Sequence, residues 1–421
     1  MMSSSGKAPA STFAGQQDLV ALVPHINVQV FCDSQQTAEM AQLAAADRRM
    51  LRAQTTVHLG GIMGAFHAFQ TQPTPNLLIV ESRAARDTIL AELEVLAEVC
   101  QPDTKVAVIG HVNDILLYRE LIRRGISEYL VAPLQQLQFI EAIASLYQNP
   151  KSAPLGRAFS FIGVRGGVGS STLAQNIAWA AARETGTETV IADLDLAFGT
   201  AGLNFNQDVG LGLFEVLGQP DRVDATFIER LFTKLGGKLS LLAGPGGVDR
   251  DIVIEPAAVE SILTAMKSTV PYMFIDLPTV WAPWVKFALL NSDQIVLTAT
   301  PDLASLRNAK SMIDMLKVAR PNDALPKLVL NQVGIPKRPE ISAADFGKAV
   351  GVPASAIIPF DAQSFGIAQS NGQMLFEVAP KSQAADAISN LMLQLTGSEK
   401  QPKKSAAGGS LLDMISKLRK K

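Results

Sequence analysis

Between Phe159 and Glu184 an apolar run, a glycine-rich turn and a helix-forming run follow without a break: "FSFIGV", "RGGVG" and "SSTLAQNIAWAAARE". That order leaves few architectures. Small residues let a turn curl tightly so that its N–H groups converge, and a helix N-terminus behind them adds positive potential. The pattern predicts a buried strand whose carboxyl end carries an anion cradle. A glycine turn alone is weak support; strand, turn, hydroxyls and helix in that order are stronger. Where such loops place a lysine, this chain has Ser170.

The surroundings extend the pattern. From 159 to 396, strands are read at "FSFIGV", "ETVIADL", "LSLLA", "YMFIDL", "DQIVLTA", "KLVLNQV" and "AIIPFD", with helices after Ser170 and from Glu255, Ser305, Ser342 and Lys381. From 24 to 148, strands are read at "INVQVF", "NLLIV", "KVAVIG" and "EYLV", alternating with four stretches of helical spacing. Strands alternating with helices imply parallel sheets covered on both faces. The predicted fold class is α/β, two doubly wound parallel-sheet domains. Residues 149–158, rich in Pro, Gly and charge, read as a linker, and 397–421 as a second linker and a basic tail. Residues 1–23 begin small and polar and are expected to be disordered.

Carboxylates accompany the loop. "IADLDLAFG" places Asp193 and Asp195 at the end of one strand, and "MFIDLP" places Asp276 at the end of another. In an open parallel sheet, ligands gather beyond the carboxyl ends of strands. Acids there suit Mg²⁺ and the orientation of water. The competing explanation is capping of helices and turns; three such acids beside the loop favour function. The 421 residues are 48% hydrophobic and 18% charged, with a net charge of −2. That composition builds real cores and speaks against a nucleic-acid partner. Cys32 and Cys100, in apolar patterns, are too few for a disulfide scaffold, and a reducing cytoplasm is expected. The four histidines show no ligand spacing, so no metal cluster is expected. Neither a membrane span nor a signal peptide is read.

"RGGVGSST", "DLDLAFG", "FIDLP", "ATPDLASLRNAK", "LVLNQV" and "IIPFD" occur in the order of the MinD/ParA group of deviant Walker ATPases, which the second block resembles. The region "GLFEVLGQPDRVDATFIERL" and "LSLLAGPGG" is similar to the TadZ/CpaE family of tight-adherence (Flp) pilus assembly proteins, a resemblance covering about residues 24–396. It implies an N-terminal receiver-like (flavodoxin-like) domain and a C-terminal P-loop domain. It implies ATP on Arg165, Gly166, Gly167, Val168, Gly169, Ser170, Ser171 and Thr172, and Mg²⁺ on Ser171 and Asp276. Asp193 and Asp195 match the acidic pair that positions water, Asn331 a residue contacting adenine, and Pro359 the lining of the base pocket. Arg165 stands where the group has a lysine that reaches a dimer partner's nucleotide. Ser170 stands where a second lysine holds phosphate within the subunit. Without that charge, hydrolysis is expected to be slow or absent.

The implied function is a dimerising localisation and assembly factor for the Flp pilus secretion machinery. It would be cytoplasmic, peripheral at the inner membrane, with a cell pole as a candidate location. Its partners would be the pilus secretion ATPase and inner-membrane pilus assembly proteins. The alternative is a nucleotide-independent scaffold.

The first block resembles the receiver domain of response regulators. Only Asp33 remains of its first acidic pair, in "FCDS". Glu81 takes the phosphoacceptor position, Gly110 the hydroxyl position and Ala132 the lysine position. Such a domain is expected to bind a partner or a second copy and not to accept phosphate, and Glu81 reads as a relic on a surface loop. In the tail, Leu411, Leu412, Ile415 and Leu418 can share one helix face beside Lys417, Arg419, Lys420 and Lys421. Such a helix suits a membrane surface or a partner protein equally well.

Overall fold

The computed structural model describes residues 20–147, 155–210, 212–218, 222–247 and 253–398. The expectations for the first 19 residues, most of the linker and the basic tail fall outside these.

The N-terminal domain has strands β1 (Asn27–Cys32), β2 (Gln54–Leu59), β3 (Leu77–Ser82), β4 (Lys105–Gly110) and β5 (Glu128–Val131). They alternate with helices α1 (Gln35–Ala45), α2 (Gly61–Phe69), α3 (Arg86–Ala97), α4 (Ile115–Arg123) and α5 (Gln136–Tyr147). The sheet order is β2-β1-β3-β4-β5, every pair parallel. This is the flavodoxin-like order. β3 is buried along its whole length between two helix layers, which is why "LLIVES" shows no alternation. β2 and α2 were not legible in the sequence, because β2 is an edge strand with mostly exposed side chains and no apolar run. Cys32 is buried, and burial pushes its thiol up to about 12, as for a small core residue; Cys100 is half-buried.

Glu81 overturns its expectation. It is fully buried, not on a surface loop. Its carboxylate accepts the backbone N–H groups of Asp33 (2.8 Å) and Ser34 (2.9 Å) and the hydroxyls of Ser34 (2.9 Å) and Thr37 (2.8 Å), with His111 Nε2 at 2.9 Å. Burial pushes the carboxyl up, but hydrogen bonds from Thr37, His111 and Ser34 prevail and hold it below its ordinary value. Glu81 therefore pins the start of α1 to the end of β3.

The C-terminal domain has strands β6 (Arg157–Gly163), β7 (Thr189–Asp193), β8 (Thr233–Lys234), β9 (Leu239–Leu242), β10 (Tyr272–Leu277), β11 (Gln294–Ala299), β12 (Lys327–Val333) and β13 (Ala354–Pro359). Its helices are α6 (Ser170–Thr185), α7 (Ala201–Asn204), α8 (Gly212–Gly218), α9 (Ala225–Arg230), α10 (Pro256–Thr269), α11 (Pro283–Asn291), α12 (Leu303–Ala319), α13 (Ala343–Val350), α14 (Ala362–Asn371), α15 (Leu375–Val378) and α16 (Gln383–Thr396). The sheet order is β13-β12-β11-β6-β10-β7-β9-β8, parallel except for the short β8 against β9. One core packs Ile162, Ile275, Leu297 and Leu330 against α10, α11 and α12. The other packs Phe161, Phe274, Val296 and Val329 against α6 and α16. β6 begins at Arg157, so the last two residues of the expected linker are strand. Its reach is set by buried backbone: Gly156 N–H donates to Lys267 at 2.7 Å.

A buried ion cluster joins the domains. Asp47, Arg48 and Arg49 form a tight turn after α1. Arg48 grips Asp323 with Nε at 2.7 Å and Nη2 at 2.9 Å, and Arg49 Nη2 donates to the same carboxylate at 2.5 Å. Arg49 also pairs with Asp47 at 3.0 Å, and Arg320 with Asp323 at 3.2 Å. Asn322 donates to Asp47 and to Gln136, both at 2.9 Å. Beside the cluster lies a cleft of about 790 Å³ bordered by Met40, Leu134, Gln136 and Pro321.

Two outcomes follow from these buried charges. Asp323→Ala leaves three arginines short of their carboxylate and is expected to cost about 3–5 kcal/mol, seen as a lower urea midpoint and separate melting of the two domains. Glu81→Ala orphans buried donors and is expected to destabilise the N-terminal domain by about 2–3 kcal/mol. Incubation of the wild-type chain with a small phosphodonor should add no phosphoryl mass, about 80 Da, to this domain.

Candidate functional site

β6 ends at Gly163, and the chain turns through 164–169 before α6 begins. Gly169 takes the left-handed φ of +86° that glycine alone adopts freely, and a Cβ there would meet the Asn331 amide at 2.4 Å. Over Gly166 and Gly167 a Cβ would meet nothing within 4 Å, so the crest of the loop is open. Val168 is buried beneath it, Ser171 is exposed and Thr172 half-buried. The sixteen residues of α6 direct their free N–H groups and positive dipole end to the same crest.

Two side chains from β12 brace the turn. Asn331 Nδ2 donates to Val168 O at 2.8 Å, and Gln332, at φ +55°, donates Nε2 to Gly167 O at 3.0 Å. Asn331, expected to meet adenine, has its amide N–H engaged by the loop. Gln332 was not singled out in the sequence; its only signal is a place just past the apolar run "LVL". Pro359 lies half-buried at the end of β13, the edge strand beside β12.

The carboxylates converge from neighbouring strands. β10 pairs in parallel with β7, and Asp276 stands directly opposite Asp193. Both are buried. Burial pushes the Asp193 carboxyl up to about 6, although the N–H groups of Asp195 (3.1 Å) and Ala201 (3.2 Å) donate to it. Burial first and the Asp193 charge second push Asp276 well above the usual carboxylate range. The Ser171 hydroxyl opposes that rise. Asp195 is less buried and accepts Phe198 N–H at 3.0 Å.

Two oxygens here are left over. Asp276 Oδ1 and Ser170 Oγ are buried without a hydrogen-bond partner. Buried polar atoms are rarely orphaned in a finished structure, and an absent ligand is one standard reason. A phosphate–metal group fits. The loop and α6 offer N–H donors, and Ser171 and Asp276 offer hard oxygens suited to Mg²⁺. Among the described residues, no group of three or more His, Cys, Asp or Glu could hold a metal ion by itself. The remaining ligands would have to be phosphate oxygens and water.

Arg165, on the same loop, is engaged within its own chain. Its Nη2 donates to Asp302 Oδ2 at 2.9 Å and Thr300 Oγ1 at 3.0 Å, and its Nε to Ser305 Oγ at 3.1 Å.

No protein-family model matches the chain. Its N-terminal part is 49% identical to a pilus assembly protein CpaE of Caulobacter crescentus CB15, over 31% of this chain and 98% of that one, with a TM-score of 0.30. The identity, not the superposition, carries that likeness. A ParA family ATPase of Chlorobium tepidum TLS is 26% identical over 57% of this chain and 99% of its own, with a TM-score of 0.51. The septum site-determining protein MinD of Pyrococcus horikoshii OT3, in complex with Mg-ADP, is 23% identical over 57% of this chain and 96% of its own, with a TM-score of 0.50. That match shows the fold alone.

The opposed carboxylates generate a test. Asp276→Asn removes one of two facing buried carboxyls, whose ionisation burial opposes, and is expected to stabilise the ligand-free chain at neutral pH by about 1 kcal/mol in thermal melts. The same variant should lose any stabilisation by Mg²⁺ with ATP.

Proposed function

Since the chain belongs to the CpaE family of pilus assembly proteins, we propose that it is an ATP-binding, dimerising assembly factor of the Flp (Tad) pilus secretion machinery. The observation that carries this reading is the open glycine crest at the N-terminus of α6, facing Ser171, Asp276 and two orphaned oxygens. In it, residues 165–172 cradle the phosphates, and Ser171 and Asp276 hold Mg²⁺. Asp195 and Asp193 orient water, and Asn331 and Pro359 border the base. When bound, the ion supplies the positive charge that Ser170 does not. With that lysine charge missing, turnover is slow or absent.

Dimerisation draws support from an apolar rim on the same edge of the sheet. Phe198 and Leu203 after β7, Val280 and Trp281 after β10 and Leu303 after β11 are exposed, Phe198 by 74% and Trp281 by 57%. Clustered exposed apolar side chains are the usual mark of a contact surface. Among the described residues no helix is long and apolar enough to cross a membrane. The proposed placement is peripheral, at the cytoplasmic face of the inner membrane and at a cell pole. The pilus secretion ATPase and inner-membrane pilus proteins are the partners, and the basic segment 410–421 is the attachment. One short basic segment binds weakly, and two on a dimer act together. Ser170 favours a second reading, a nucleotide-independent scaffold.

A titration of the full chain with a fluorescent ATP analogue decides between them. Binding is expected at sub-millimolar nucleotide with Mg²⁺, weakened at least about tenfold by Ser171→Ala or Asp276→Ala, with turnover below the ~1–100 s⁻¹ of ordinary kinases. No binding at millimolar nucleotide leaves the scaffold.

A further inference from the structure

The cleft of about 790 Å³ between the domains is walled by α1, the start of α5 and the segment 321–324 that leads into β12. Met40, Leu43, Leu134 and Leu137 make it apolar, with Leu43 58% exposed and the neighbouring Leu325 46% exposed. Among the described residues, its border also carries side-chain amides and two carboxylates, Glu39 and Asp323, and no lysine or arginine. Asp323 is matched by the arginines behind it. Glu39 is exposed and accepts the Gln35 amide at 3.2 Å, and no cation pairs with it among the described residues. A groove with apolar walls and an acidic rim suits a short apolar segment that carries basic residues. The segment 410–421 has that character: Leu411, Leu412, Ile415 and Leu418 recur at helical spacing beside Lys417, Arg419, Lys420 and Lys421. The path to the cleft is short. α16 ends at Thr396, whose carbonyl accepts Arg157 Nη1 at 3.0 Å at the start of β6. β6 and β12 both run parallel to β11, which lies between them, so their starts share one sheet edge about 10 Å apart. The twelve residues from Ser398 to Ser410 span up to about 40 Å.

We propose that the segment 410–421 docks in this cleft of its own chain, its leucines and Ile415 against Met40, Leu43 and Leu137 and its cations toward Glu39. A tether of this length gives a local concentration on the order of 1 mM, so a contact with a Kd of about 0.1 mM is already about nine-tenths occupied. The receiver-like domain thereby withholds from a membrane surface the segment that would attach the protein there. The docking goes beyond the function proposed for the nucleotide site and stands without it.

The test is photo-cross-linking in the full chain, with a benzophenone side chain in place of Leu412. Mass spectrometry is expected to place the adduct on α1 or α5 at the cleft, within one copy. Glu39→Lys and Leu43→Lys change exposed side chains, so thermal melts should match the wild type. Together they should cut that adduct at least about tenfold. The same pair should raise affinity for vesicles of phosphatidylglycerol and phosphatidylethanolamine about tenfold, because the segment is no longer held back. The docking is overturned if the adducts scatter over the surface, if they join two copies, or if they survive both lysines. It is overturned too if vesicle binding is measurable and equal in the wild type and the double variant. If the adduct forms as expected and no variant binds vesicles at all, the docking stands and the membrane attachment falls.

Discussion

A parallel sheet delivers the carboxyl ends of all its strands to one edge, and every feature of the site depends on that constraint. β6 lies between β10 and β11, so its glycine turn emerges beside the end of each neighbour. Backbone register does the aligning: Asp276 pairs with Asp193, and Thr298 with Gly163. α12 adds a tie of its own, with Asn308 Nδ2 donating to Val164 O at 3.0 Å. The loop is thus held from the β12 side by two amides and from the α12 side by a third. The Val164, Gly167 and Val168 carbonyls are thereby occupied, while over Gly166 and Gly167 the crest stays open.

Three buried acidic groups in this chain are balanced in three ways. Asp323 is surrounded by arginines that hold its carboxyl far below the usual range despite its burial. Glu81 meets hydroxyls, N–H groups and a histidine ring. Asp276 faces another carboxylate, and its Oδ1 has no hydrogen-bond partner. The first two arrangements are complete and serve the fold. The third has no such complement among the described residues. The same contrast separates the receiver-like domain from the ATPase-like one. In the former, the Glu81 carboxylate is a structural tie, and a buried cluster fixes the domain to its neighbour. In the latter, the glycine loop has an open crest.

The sequence by itself determined the α/β alternation, the two domains and the residues of the loop, because strand, turn and helix there are contiguous and each carries its own local pattern. It also placed Asp193 and Asp276 at strand ends, since fully buried parallel strands read as unbroken apolar runs. It did not reveal β2, whose edge position asks for no apolar run, nor the burial of Glu81, which is satisfied by residues up to 48 positions away. Tertiary structure alone decided that Arg165 is paired with Asp302, that Asn331 and Gln332 hold the loop, and that Arg48 and Arg49 meet Asp323 across 275 and 274 residues. The physical reason is the same throughout. Local propensity and periodicity act over a few residues, whereas the partner of a charge is whichever group the sheet order and helix packing bring within hydrogen-bond reach.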